Sequence, residues 1–151
     1  MSPTQLIDLV RTLTDKLDVE VTDVTCTESG RTVVNVVSPD SKRLIGPHGE
    51  HLQALNTIAR RLVESTHPQE HVSFLIDVNG YHEEQLEVIR AAARTLAQRV
   101  RLFKHDEELP PMTAYERLVI HEMFANDPQI ETISQGEEKF RHIVLKFRAQ
   151  P

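Results

Sequence analysis

At 151 residues the chain is long enough for one ordinary domain or for two small ones, and either choice leaves thin hydrophobic cores. Apolar content of 39% and charged content of 26% are ordinary for a folded protein, and no segment is biased enough to stay disordered. The 17 Lys and Arg against 23 Asp and Glu give a net charge of −6, which excludes a broad basic field; any contact with nucleic acid has to be local, made by a few placed groups.

The opening Met1-Ser2-Pro3-Thr4 carries no basic leader, and no apolar run approaches the length of a bilayer span, so neither secretion nor membrane insertion is expected. Cys26 stands alone, which rules out an intramolecular disulfide or a thiol zinc cluster and fits a reducing cytoplasm. Leu6, Val10, Leu13 and Leu17 recur at helical spacing and predict an amphipathic helix over 3–17. Two β-branched runs, Val19–Val24 and Thr32–Val37, flank the turn residues Glu28-Ser29-Gly30 and read as a hairpin. After Ser38-Pro39-Asp40 come a short apolar pair, Leu44-Ile45, the tetrapeptide Gly46-Pro47-His48-Gly49, and a helix with Leu52, Leu55, Ala59 and Leu62 on one face, ended by His67-Pro68. Val72–Val78 is a third strand, and Asn79-Gly80 turns the chain onward, giving the order αββααβ.

A long helix over 81–103 follows, with Leu86, Ile89, Ala93, Leu96 and Val100 inward, acids near its start and Arg94, Arg99 and Arg101 near its end. Beyond Pro110-Pro111, Thr113 and Glu116 have the spacing of a capping box and start a helix that should stop at Asp127-Pro128. The tail, Ile130–Ser134 and then Ile143, Leu145 and Phe147 in alternation, predicts a second hairpin across Gln135-Gly136. Phe74, Phe103, Phe124, Phe140 and Phe147 mostly fall where core is expected, so an aromatic platform for stacked bases is not anticipated.

A Gly-x-x-Gly pair alone marks only a tight turn, but its position between a short apolar turn and a helix within an αββααβ order adds meaning. The stretch Leu44-Ile45-Gly46-Pro47-His48-Gly49-Glu50-His51-Leu52 resembles the nucleic-acid clamp of KH domains. Glycine suits such a clamp because a backbone without Cβ can approach a sugar-phosphate chain, while the following helix presents free amides. The resemblance implies that Gly46, Pro47, His48 and Gly49 hold RNA, with Lys42 and Arg43 beside them; an aliphatic groove from Val33 to Val37 with Leu55 would take the bases. Many relatives carry Lys or Arg between the two glycines, and here Pro47 and His48 stand there, so the loop loses a permanent charge.

Arg117 and His121 lie four apart on the helix predicted after Thr113, on one face. With 12 Arg and 8 His in the chain, chance gives the spacing about 0.6 times, and Arg101 with His105 matches it too. Only the first pair sits in Pro111-Met112-Thr113-Ala114-Tyr115-Glu116-Arg117, which is similar to the Pro-Met-x-x-Tyr-Glu-Arg-x-x-x-His signature of Jag-type R-three-H domains; Ser134, Gly136 and Arg141 match the spacing of the final hairpin. The chain thus resembles the Jag/KhpB family. The resemblance implies an α+β fold of two small domains: a type II KH domain over 1–80, then an R-three-H domain over 81–151, helices packed on a small antiparallel sheet and the 81–103 helix connecting. Arg117 and His121 inherit contacts to nucleic-acid phosphates, with Arg141 and Lys139 as neighbours. The alternative for the same spacing is a surface helix whose Arg117 pairs with Glu116 or Glu122.

No nucleophile elbow, Walker loop or zinc-type His pattern stands out, so catalysis, a metal and a cofactor are not expected. By resemblance the chain is a cytoplasmic single-stranded RNA-binding protein, a bacterial post-transcriptional regulator linked to cell elongation and division, with a small single-KH protein as partner. A single-stranded DNA binder, a protein-interaction scaffold and self-association stay open. Because an imidazole gains charge on protonation, a clamp that uses His48 should bind more tightly below about pH 6.5. A flat profile of RNA affinity against pH would count against that role.

Overall fold

Ser2 accepts a hydrogen bond from the Gln5 amide and Gln5 accepts one from the Ser2 amide, so a capping box closes the start of α1 (Pro3–Lys16). The computed structural model describes residues 1–149. The order of elements continues as β1 (Asp23–Glu28), β2 (Thr32–Val37), α2 (Ser41–Ile45), a 3-10 turn Pro47–Gly49, α3 (Glu50–Thr66), β3 (Leu75–Val78), α4 (Tyr81–Phe103), β4 (Glu107–Glu108), α5 (Ala114–Met123), β5 (Ile130–Gln135), a 3-10 turn Glu138–Phe140 and β6 (His142–Phe147). The chain divides into two compact units after Glu83.

In the first unit β2 is central, antiparallel to β1 and parallel to β3. Leu6 and Val10 of α1, Val24, Val34, Val36, Ile76 and Val78 of the strands, and Leu52, Leu55, Ala59 and Val63 of α3 form its core. Asn56 is buried among them, yet its side chain is satisfied: Nδ2 donates to the carbonyls of Leu52 at 3.0 Å and Ile76 at 2.9 Å, and Oδ1 accepts from the Ile76 amide at 2.8 Å. The amide side chain therefore pairs with β3 as a neighbouring strand would, tying α3 to it.

Three expectations shift here. The first strand lies at 23–28 and not at 19–24, because Glu20 is taken up by side chains of the following turn: Ser38 donates to its carbonyl and Asp40 accepts from its amide. The apolar face of α3 runs through Asn56 and Val63, leaving Leu62 exposed at its edge. The third strand is shorter than predicted, four residues from Leu75.

In the second unit β6 is central between β4 and β5, all antiparallel. Ala93, Ala97 and Val100 of α4, Ile120 and Phe124, and Ile130, Ile143 and Leu145 of the sheet make the core. The strand β4 has no counterpart among the elements expected from periodicity; it is two glutamates long and pairs with Val144 and Leu145, and its charge blunts a sheet edge. The helix α5 ends at Met123, short of Asp127. Phe74 and Phe124 are core, as expected, but Phe103 and Phe140 are each 65% exposed.

Asp127 closes the approach to β5. Its Oδ1 accepts from the amides of Gln129 at 2.9 Å and Ile130 at 3.1 Å, and its other oxygen takes Arg101 of α4. Burial pushes this carboxyl up, but the Gln129 amide, Arg101 and the Ile130 amide outweigh it and hold the carboxyl below the ordinary carboxylate range. A depressed folded-state value means a stabilisation that is complete above the unfolded value of about 3.9 and lost as pH falls through the folded one. Asp127→Asn should therefore lower stability by about 1 kcal/mol at neutral pH, with the deficit shrinking toward pH 3 in denaturant titrations; a deficit independent of pH would refute the assignment.

Candidate nucleic-acid interface

The loop at 46–49 is built by backbone shape. Gly46 (φ 70°, ψ 178°), His48 (φ 54°) and Gly49 (φ 77°) all have positive φ, and Pro47 fixes the remaining residue. A Cβ on Gly46 would lie 2.4 Å from Cγ of His51, whose Nδ1 is held 2.8 Å from the Arg43 carbonyl. One on Gly49 would lie 2.9 Å from the Tyr81 hydroxyl. The loop backbone is thus packed between two rings, while Gly49 precedes α3 as its N-cap without a side-chain cap and the Glu50 amide donates to the Pro47 carbonyl.

The charges around this loop differ from expectation in one respect. Lys42 and His48 are exposed with no side-chain hydrogen bond or ion pair among the described residues, but Arg43 donates to the carbonyls of Asp18 at 3.0 Å and Leu17 at 3.5 Å, serving the end of α1. The expected aliphatic groove also changes, since Val34, Val36 and Leu55 are core and Val37 is the exposed member.

In the second unit Thr113 and Glu116 form the capping box that starts α5, which occupies Glu116. Arg117, half-buried, donates through Nη1 to the Met112 carbonyl at 2.7 Å, and the Met112 amide donates to the Arg141 carbonyl at 3.1 Å. His121 Nδ1 lies 2.6 Å from Thr132 Oγ1 on β5. Arg141 donates through Nε to Ser134 Oγ at 2.9 Å and through Nη1 to the Gly136 carbonyl at 3.1 Å. Lys139 lies over the Phe140 ring at 5.2 Å from its centroid. Sequence reasoning misses Thr132 and the Met112 carbonyl as the groups that aim His121 and Arg117; neither has a side-chain type that marks it.

None of Arg117, His121, Lys139 and Arg141 has a carboxylate at ion-pair distance among the described residues, so pairing of Arg117 with Glu116 or Glu122 is not what holds it. The accidental match fares otherwise: Arg101 is paired with Asp127, and His105 is 3.8 Å from Glu107 and stacked on Phe103. Arg94 and Arg99 are also paired, with Glu87 at 2.6 Å and Glu107 at 2.9 Å. Each guanidinium of the first set therefore keeps both its charge and spare N–H donors.

Residues 87–147, within the second unit, match the family model of the R-three-H domain, and the helices packed on a small antiparallel sheet there are consistent with it. The chain is also similar to curated proteins named RNA-binding protein KhpB. It is 32% identical to that of Clostridium symbiosum over 117 residues, 78% of this chain and 52% of that protein, and 32% identical to that of Bacillus subtilis strain 168 over 129 residues, 83% and 62% of the two chains. With that of Streptococcus pneumoniae strain D39 it shares 29% identity over 144 residues, 94% of this chain and 43% of the other. The chain spans about half to three fifths of the length of the first two. The domain match and these relatives support the family that the motifs resemble.

The packing of His51 over Gly46 carries a testable cost. Gly46→Ala meets both a positive φ and a ring, whereas Gly30→Ala meets a positive φ of 72° with nothing within 4 Å. Gly30→Ala should cost about 1 kcal/mol and Gly46→Ala about 2–3 kcal/mol in denaturant unfolding. Equal losses would mean that the ring does not cover the loop.

Proposed function

We propose that this chain is a single-stranded RNA-binding protein of the Jag/KhpB type, gripping sugar-phosphate at two places: the Gly46–Gly49 loop of a KH domain over 1–80 and the Arg117–His121 face of an R-three-H domain over 81–151. The observation that carries the reading is the set of four unpaired cationic or protonatable side chains, Arg117, His121, Lys139 and Arg141, in a chain of net charge −6. A planar guanidinium fixed along one edge offers its remaining donors as a fork matched to phosphate oxygens. At the loop, Pro47 brings no amide and the amides of Gly49 and Glu50 are taken by the carbonyls of Gly46 and Pro47, so the Lys42 and His48 side chains supply the attraction. Such a loop holds backbone and reads no sequence; preference for unpaired strands comes from bases splayed against the protein.

The names of the relatives add RNA as the nucleic acid, and the family resemblance adds cytoplasmic post-transcriptional regulation tied to cell elongation and division, with a small single-KH protein as partner. Nothing in either grip demands a 2′-hydroxyl, so matched RNA and DNA oligomers in competition decide between RNA and single-stranded DNA.

Arg117→Ala should weaken binding to every sequence and reduce the slope of log affinity against log salt by about 0.7 to 1, the loss of one phosphate contact. Replacing Pro47 and His48 together by Asp should lower RNA affinity sharply with the fold intact by circular dichroism. Wild-type affinity in the double variant would remove the loop from the reading, and a loss at Arg117→Ala confined to some sequences would mean that Arg117 reads bases.

A further inference from the structure

The turn that delivers Arg141 to its position also displays a large ring to solvent. Phe140 is 65% exposed, against an expectation of core, and it lies between two of the cations described above, Lys139 and Arg141. An isolated exposed aromatic is ordinary on a protein surface; one on a fixed backbone beside unpaired cations is not.

The backbone here is fixed from several sides. The Phe140 amide donates to the Glu137 carbonyl at 3.0 Å, the Arg141 amide to the Glu138 carbonyl at 3.2 Å, and His142 Nδ1 lies 3.0 Å from the Phe140 carbonyl. Gly136 runs so close beneath that a Cβ would lie 2.9 Å from the same carbonyl oxygen. The backbone that carries the ring is therefore set before any ligand arrives, and only the side-chain torsions remain for a ligand to order.

We infer that Phe140 is a stacking platform for one unpaired nucleobase of the strand whose phosphates are held by Arg117, His121 and Arg141; the inference rests on the reading given under Proposed function and extends it from backbone to base. The charges near the ring favour a base there over a phosphate. Glu137 and Glu138 precede it in the same turn and would repel an anion, whereas a neutral base is indifferent to them and has a face for the ring. Lys139, already over the ring, then lies next to the stacked nucleotide, where its own phosphate emerges. The link from Arg141 through the Met112 backbone to Arg117 keeps the platform and the phosphate grips in one rigid arrangement.

The chain contains no Trp, so Phe140→Trp installs a single indole at the platform, whose emission is excited selectively over that of the two tyrosines. With the full chain and a short labelled single-stranded RNA, Phe140→Ala should weaken binding about tenfold at an unchanged salt slope, as expected for loss of one stacked base. Emission of the Phe140→Trp protein should be quenched by the RNA, and a ribose-phosphate oligomer without bases should bind wild type and Phe140→Ala alike. Wild-type affinity in Phe140→Ala, or equal weakening on the baseless oligomer, overturns the platform while leaving the phosphate grips standing. Failure of the wild-type protein to bind the RNA at low salt overturns both.

Discussion

A guanidinium held by a carbonyl keeps its charge available; one held by a carboxylate has spent it. That difference organises the second unit. Arg94, Arg99 and Arg101 lie on α4 and end on Glu87, Glu107 and Asp127, where they secure the helix surface and the entry to β5. Arg117 and Arg141 end on main-chain oxygens and a hydroxyl, contacts that fix direction without neutralising. Arg11, Arg60, Arg61 and Arg148 likewise lack a carboxylate partner among the described residues; Arg117 and Arg141 differ from these in being kept apart from carboxylates while neutral acceptors fix their direction. The capping box contributes to this separation by turning Glu116 back onto the Thr113 amide and away from the residue that follows it.

The first unit solves a different problem, that of shaping a tight loop between α2 and α3: two glycines, a proline and a histidine in the left-handed region turn the chain, and the amides of Gly46, Gly49 and Glu50 are taken by the carbonyls of Lys42, Gly46 and Pro47. The cost of that backbone is offset by packing, His51 over Gly46 and Tyr81 against Gly49, while buried Leu44 anchors α2 in the core. Arg43, beside the glycine pair, donates to the carbonyls of Leu17 and Asp18 at the end of α1, and like Arg117 and Arg141 it keeps its charge while its direction is fixed.

Much of the architecture is legible because it is written in periodicity. The order of the main helices and strands, the capping box at Thr113 and both hairpins follow from spacing and turn residues. What escapes is set by tertiary partners. The stretch at 19–24 has β-branched residues, but side chains of the Ser38–Asp40 turn claim its backbone; β4 is two glutamates with no propensity to betray it; Asn56 reads as a polar interruption and is the residue that joins α3 to β3. At Phe140 the rule that assigns aromatics to the interior fails. Its immediate neighbours, Glu137, Glu138, Lys139 and Arg141, are all charged, and that setting is a signal of exposure available in the sequence itself.

The negative net charge bears on range more than on affinity. At physiological ionic strength a surface charge is screened over about 8 Å, so carboxylates far from a grip contribute little to it, while Glu137 and Glu138 next to Phe140 are not screened away. On the proposed reading, a strand approaching the second unit meets repulsion at that turn and attraction at Arg117, His121 and Arg141, a balance that fits a phosphate on one side and a neutral ring face on the other. The same acidic neighbours that deny the molecule a broad basic field therefore sharpen where a backbone fits, and weak non-specific association is the consequence that this charge distribution dictates.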